Sequence, residues 1–310
     1  MNTIKKWQAD IDVQAEHVKQ CLLEQFPRLL PLNNIRLIGE GWDNRVFLVN
    51  ENVIFRFPRR KIAVELFEHE NRVLPQLQSH FSLQIPNPIY QGKPSEYYPY
   101  PFQGYTRLQG TSGENLSQEN RLASLKALSL FLKQLHAITK KQALHLGAES
   151  QVFDKTQVQQ AITTFKERVN QLISLDCYDI NSNEINNEVE KIQTIELSNS
   201  LSLVHGDLHF KHLLFNHGKL TSVIDWGDLG INHPVVDLSI IWGFYSSEYH
   251  SIFHEIYGFV DQKIWNYARF LALYVAFTFL LYGQDIGNEK LVNEAIQSIR
   301  RINPKLLDHE

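Results

Sequence analysis

The sequence predicts an α+β protein of two lobes, a small strand-rich lobe followed by a large helical one. Three observations predict it. Short β-prone runs separated by turn formers crowd Ile35 to Arg60. Beyond Gly113 helical patterns dominate, and a second β-rich stretch, Leu201 to Trp226, interrupts them before helices finish the chain. At 310 residues the chain is long enough to bury a sizeable core. The change of texture near Gly104 marks the expected connector, giving lobes over residues 1–105 and 106–310 with a ligand cleft between them.

The first element is an amphipathic helix over Asp10 to Phe26, stopped by Pro27. In "IRLIGEGWDNRVFLVNENVIFRFPRR" the turn formers "GEGWDN" and "NEN" divide three strands. Leu66, Phe67, Val73, Leu74 and Leu77 then recur with helical spacing, predicting a helix over Val64 to Leu77. The Pro-, Gly- and Tyr-rich segment "IPNPIYQGKPSEYYPYPFQGY" reads as loops around short strands. Helices are expected from Gly113 to Leu197, with a break at "NSN" beside Asn181. The most apolar run, Phe270 to Tyr282, is too short to span a bilayer and reads as a buried helix.

Composition excludes several classes. Hydrophobic content of 43% with 21% charged residues is that of a globular protein. A net charge of −4 leaves no footprint for nucleic acid or an anionic membrane. Cys21 and Cys177 fit no zinc or redox spacing, and the N-terminus lacks the apolar core of a signal peptide. A soluble monomer in the reducing cytoplasm is expected.

Four stretches carry chemistry. In "LIGEGWDNRVFLV", Gly39 and Gly41 can let backbone N–H groups approach a phosphate, although alone they read as a hairpin turn. The lysine-containing P-loop pattern is absent, as is its strand-to-helix context. On "NVIFRFPRR", alternation turns Arg56 away from Phe55 and Phe57, and Glu70 in the next helix is placed to hold it. "LVHGDLHFKHLLF" (Leu203 to Phe215) brings Asp207 to a loop mouth, and "LTSVIDWGD" does the same for Asp225. One suits a proton acceptor, the other a hard Mg²⁺ ligand. A zinc reading of His205, His209 and His212 is weaker, because Gly206-Asp207 breaks a helix and no fourth ligand stands out.

"VHGDLHFKHLLF" followed by "VIDWGD" resembles the core of the aminoglycoside and macrolide antibiotic phosphotransferases, a branch of the protein-kinase-like fold. "GEGWDNRVFLV", "FRFPRR", "ENRVL", "PFQGYTRLQG", "FLKQLHAI" and "LLYGQDIGNEKLVNEAI" follow in that family's order. The resemblance implies a Mg²⁺-dependent transfer of phosphate from ATP or GTP to a small-molecule hydroxyl. It implies that Asp207 is catalytic and that Asp225 and His212 hold the metal. Gly39, Gly41, Asn44, Arg56, Glu70 and His209 would serve the nucleotide, with the backbone from Gln103 through Tyr105 and Thr106 as the hinge to the purine.

Two departures stand out. Arg56 replaces the usual lysine, exchanging a point charge for a planar fork, and His212 replaces the asparagine of most kinases. Both leave open a non-catalytic, pseudokinase-like binding module. Asp228 and Glu248 are the candidate partners for a polycationic aminoglycoside, and Asp237 reads as a helix cap. The apolar residues around them leave a macrolide or an ordinary metabolite as alternatives.

Overall fold

The computed structural model describes residues 10–41, 43–114, 116–150, 155–193, 195 and 200–307. Trp42 of the glycine turn and Leu197, the expected end of the helical stretch, lie outside them. Contacts divide the chain into two compact units, one of the residues up to Ser79 with Gln84–Gln109 and Trp226–Asp228, the other of the remainder.

The first unit carries α1 (Ala15–Gln25), β1 (Ile35–Glu40), β2 (Asn44–Val49), β3 (Val53–Pro58), α2 (Ile62–Leu77), β4 (Tyr90–Gly92) and β5 (Phe102–Thr106). The strands form one antiparallel sheet in the order β1-β2-β3-β5-β4. Alternation along β3 works as the pattern predicts. Phe55 and Phe57 join Phe47, Tyr98, Phe102 and the inner face of α1 in an aromatic core. The Phe57 and Phe102 rings stack at 4.4 Å. Burying each such ring stabilises by roughly 1.5–3 kcal/mol.

The helix expected from Asp10 begins later, at Ala15. Residues 10–13 instead bond β2 and the turn between β3 and α2. Asp10 accepts the Lys61 N–H at 3.0 Å, Arg45 donates to the Val13 carbonyl at 2.8 Å, and Asp12 pairs with Arg45. Tertiary bonds outbid the local helical pattern there.

The second unit holds β6 (Thr111–Ser112), α3 (Gln118–His136), α4 (Lys140–His145), α5 (Lys155–Ser174), α6 (Ser182–Glu190), β7 (Ser202–Val204), β8 (Leu213–Asn216) and β9 (Lys219–Val223). It continues with β10 (Gly230–Asn232), α7 (Val235–Phe244), α8 (His250–Tyr257), α9 (Gln262–Asp285) and α10 (Glu289–Ile302). β7 pairs with β10, and β6, β8 and β9 form a small antiparallel sheet. The apolar run Phe270 to Tyr282 is the centre of α9, a 24-residue helix long and apolar enough by composition to cross a bilayer. It packs against α5, α7 and α10, burying Phe270, Leu273, Phe277 and Leu280 as a core helix does.

Candidate active site

In the sheet unit, β3 and α2 meet at one ion pair. Arg56 Nη1 donates to both carboxylate oxygens of Glu70, at 2.9 and 2.7 Å. Both side chains are buried, and the guanidinium lies 4.9 Å from the Phe67 ring. A buried charge needs this degree of pairing, because one left alone costs several kcal/mol. Gln103 sits opposite Arg56 in the β3–β5 register and donates to the same carboxylate at 2.8 Å. In the amide orientation that satisfies both its atoms, Asn44 accepts from Arg56 Nη2 at 3.3 Å and donates to the Asp43 carbonyl.

The glycine turn between β1 and β2 is fastened at its shoulders. Gly41 donates to the Asn44 carbonyl at 2.9 Å, and Arg45 and Arg59 both reach Glu40. A methyl group added at Gly39 or Gly41 would meet no atom closer than 3.6 Å. Packing within the protein therefore does not demand glycine at either position.

In the helical unit, the loop after β7 is built from backbone upward. The His205 N–H donates to Asp237 Oδ2 at 2.8 Å and the Gly206 N–H to Asp237 Oδ1 at 2.9 Å. Gly206 adopts φ +89°, a left-handed backbone that glycine enters without steric cost. Asp237 lies in the first turn of α7 and is fully buried. Its Oδ2 also faces His136 Nε2 at 3.1 Å, whose Nδ1 meets the Tyr257 hydroxyl at 2.8 Å. The buried His205 ring lies 3.0 Å from the Ile224 carbonyl through Nε2 and accepts the Asp207 N–H at 3.3 Å. It thereby ties the Asp207 loop to the segment that follows β9 and carries Asp225. Burial, the leading influence, holds this imidazole below the ordinary histidine pKa.

Asp207 and Asp225 each keep 49% of their side-chain surface exposed. His212 stands between them. Its Nδ1 lies 2.7 Å from the Asp207 carbonyl and its Nε2 3.3 Å from Asp225 Oδ2. Burial pulls the His212 pKa down, but the Asp225 carboxylate and then Asp207 outweigh it and hold it above the ordinary value. Protonated, the ring donates from both nitrogens. The His209 ring packs at 3.8 Å on that of His212 and points Nε2 at Asp207 Oδ2, 3.5 Å away. Burial followed by His212 pushes its pKa down to about 4, so it is neutral near pH 7. For Asp207, burial raises the carboxyl, and the neighbouring His209, through proximity and its hydrogen bond, followed by His212 and His205, more than offsets it, leaving the carboxyl below its ordinary pKa. Asp225 adopts φ +63°, unusual for a residue with a side chain and costing about 1–3 kcal/mol.

The donor set tests the two metal readings. Both nitrogens of His205 are engaged, so the three-histidine zinc set is not available. Ligand atoms of Asp207, His209 and His212 lie within 4.8 Å of one another, and Asp225 adds a carboxylate beside His212. Two half-exposed carboxylates fit a hard divalent cation, which prefers oxygen.

Of the residues read from the sequence, Asn44, Arg56, Glu70 and Gln103 come together in the sheet unit, and Asp207, His209, His212 and Asp225 in the helical unit. Gln103 acts through its side chain on Glu70, and its backbone lies inside the ladder. Pairing with β4 ends at Gly104, and Tyr105 and Thr106 continue beyond it. Asp228 is exposed three residues beyond Asp225, and Glu248 is exposed in the turn before α8. Asp237, expected as a helix cap, instead holds the Asp207 loop. Sequence reasoning missed that role and the part of His136. One signal was present: α7 reads VVDLSIIWGF, and a lone carboxylate in so apolar a helix must find buried partners.

An antiparallel sheet with a buried Arg–Glu clamp, followed by a helical region with an aspartate loop and an Asp-Trp-Gly turn, defines a protein-kinase-like fold. Solved structures share it. The GDP and kanamycin complex of APH(2")-IIia superposes with a TM-score of 0.72 at 23% identity, covering 93% of this chain and 98% of that one. The macrolide 2'-phosphotransferase MphH from Brachybacterium faecium gives a TM-score of 0.61 at 18% identity, covering 96% and 99%. An aminoglycoside 3'-phosphotransferase of Salmonella typhimurium is 26% identical over 167 residues, 51% of this chain and 55% of the relative. The chain thus spans about half the length of that curated relative. The profile of the phosphotransferase enzyme family matches residues 34–273, and the chain belongs to that family.

Proposed function

We propose that this protein is an O-phosphotransferase that moves the γ-phosphate of ATP or GTP, with Mg²⁺, to a hydroxyl of an aminoglycoside. The observation that carries the reading is the pair Asp207 and Asp225 at neighbouring loop mouths with His212 hydrogen-bonded between them. Relatives solved with GDP and kanamycin, and with streptomycin and ATP, support the substrate classes.

In this reading Asp207 accepts the proton of the attacking hydroxyl. Its lowered pKa keeps it ionised, and its half-exposed carboxylate can reach a substrate atom. Asp225 and His212 would hold the magnesium ion, which when bound supplies positive charge against the transferring phosphoryl oxygens. The Asp225 carboxylate favours the protonated ring, and His212 would have to be neutral for its nitrogen to serve as a ligand. The Arg56 fork, fixed by Glu70 and Gln103, serves the nucleotide phosphates, Asn44 and the open turn at Gly39 and Gly41 assist, and Tyr105 and Thr106 form the purine hinge. His209, neutral, steers Asp207 and the phosphate. Most of the rate gain comes from positioning and charge. We place the enzyme in the cytoplasm as a monomer.

Asp228 and Glu248 are the proposed carboxylates for the ammonium groups of the drug. A macrolide is the second reading, favoured by the likeness to MphH. The test is a coupled assay of phosphate transfer to aminoglycosides, macrolides and common metabolites, with ATP or GTP. Transfer to an aminoglycoside is expected, with Asp228→Asn raising its KM more than that of the nucleotide, and most at low salt. Transfer to a macrolide alone, or equal KM shifts, removes the aminoglycoside reading.

A further inference from the structure

The helical unit contains a cavity of about 490 Å³ that shares no residue with the Asp207 loop. The start of α3, the turn after α7 and one face of α10 line it, and its charge is unusual. Arg121 donates from Nη1 and Nη2 to the two oxygens of Glu294, at 3.1 and 3.3 Å, and reaches the Leu116 and Phe244 carbonyls at 3.4 and 3.5 Å. Its terminal nitrogens are spent. Arg301 places Nε on the Gly243 carbonyl at 3.0 Å and Nη2 on Glu294 at 2.6 Å. Its Nη1 has no partner among the described residues.

Two guanidiniums therefore share one carboxylate, and two positive charges less one negative leave a positive charge in the wall. Among the described residues no second carboxylate lines the cavity. Burial, with Arg121 beside it, pushes Arg301 down to about 10 although Glu294 opposes the shift. The N-terminal end of the 19-residue helix α3 adds its positive end at Gln118, and Gln118 and Gln297 bring amide groups to the same wall. A buried carboxylate network whose only purpose was to join α3 to α10 would need neither the surplus charge nor the open volume.

We propose that this cavity binds a small oxyanion, the phosphate or carboxylate group of a polar molecule, on the free edge of the Arg301 guanidinium. The planar fork matches either group, and the surplus charge favours an anion and repels the polycation proposed for the catalytic site.

The test is isothermal titration of the full chain with inorganic phosphate, pyrophosphate, succinate and citrate. Saturable binding at about millimolar or tighter is expected for at least one probe. Whether a phosphate or a carboxylate binds tighter identifies the chemistry of the ligand. Gln297→Glu adds a carboxylate to the wall at an exposed position without removing any protein bond, so it should fold normally. It should weaken binding at least about tenfold, and Gln297→Lys should strengthen it. Arg301→Gln should abolish it. Binding by none of the four probes, or affinity unchanged in Gln297→Glu at unchanged melting temperature, would overturn the proposal.

Discussion

The Arg56 clamp and the Asp207 loop each fix a charged side chain, by opposite means. Arg56 is held by side chains on rigid elements. One carboxylate from α2 takes both bonds, and one amide from β5 backs it. Asp207 is held through its main chain. The buried Asp237 carboxylate grips the two residues before it, and His205 and His212 bond its own N–H and carbonyl. The clamp is thus a desolvated charge pair with all its value in one contact. The loop spreads its support over several bonds and leaves the Asp207 carboxylate half exposed for chemistry. The contrast teaches that a charged group can be fixed either by burial against side chains or, left half exposed, by bonds to its main chain.

The difference predicts different costs. Glu70→Ala removes the only carboxylate that the buried Arg56 is seen to bond among the described residues, and should cost about 3–5 kcal/mol in urea unfolding. A loss below about 1 kcal/mol would show the clamp to be wetter than its burial implies. Asp237→Asn keeps the shape but exchanges one acceptor oxygen for a donor facing a backbone N–H. It should cost about 1–3 kcal/mol and lower kcat more than it raises the nucleotide KM. A loss of stability with full turnover would separate Asp237 from the positioning of Asp207.

The clamp was legible in sequence and the support of the loop was not. A basic residue on a strand flanked by phenylalanines, with an acid on the following helix, are 14 residues apart, and period-two alternation sets which way Arg56 faces. Asp207 and Asp225 could be read as loop-mouth acids from the apolar runs before them. The groups that position Asp207 come from 32 and 101 residues' separation, His205 to Asp237 and then Asp237 to His136, and no local pattern encodes such a meeting. The late start of α1 has the same origin, because the bonds from Asp10 to Lys61 before α2 and from Val13 to Arg45 on β2 are invisible to helical periodicity. The sequence points to Gln103 through its backbone, as part of a hinge, and gives no sign of the bond its side chain makes to Glu70, 33 residues away.

A smaller effect sharpens the contrast between buried cations and buried neutral rings. Burial pushes His233 and His250 down to about 4 from the ordinary 6.5. Their folded values lie below their unfolded ones, so the unfolded chain binds more protons as pH falls. The stability each contributes is present above about pH 6.5 and is lost as pH drops towards 4, at up to about 1.4 kcal/mol per pH unit per group. His250→Phe, retaining the packing on Trp242 and Trp265, should flatten that slope. An unchanged slope would assign acid sensitivity elsewhere.

The central claim is that Asp207, positioned from behind and kept ionised, accepts the substrate proton. Steady-state transfer by Asp207→Asn, alongside titration of nucleotide into the same variant, tests it most directly. The side chain is half exposed and its supporting bonds run through the backbone, so the variant should fold and bind nucleotide as before. Turnover should fall by about 10²–10⁴-fold or vanish. Full turnover in Asp207→Asn would contradict the account.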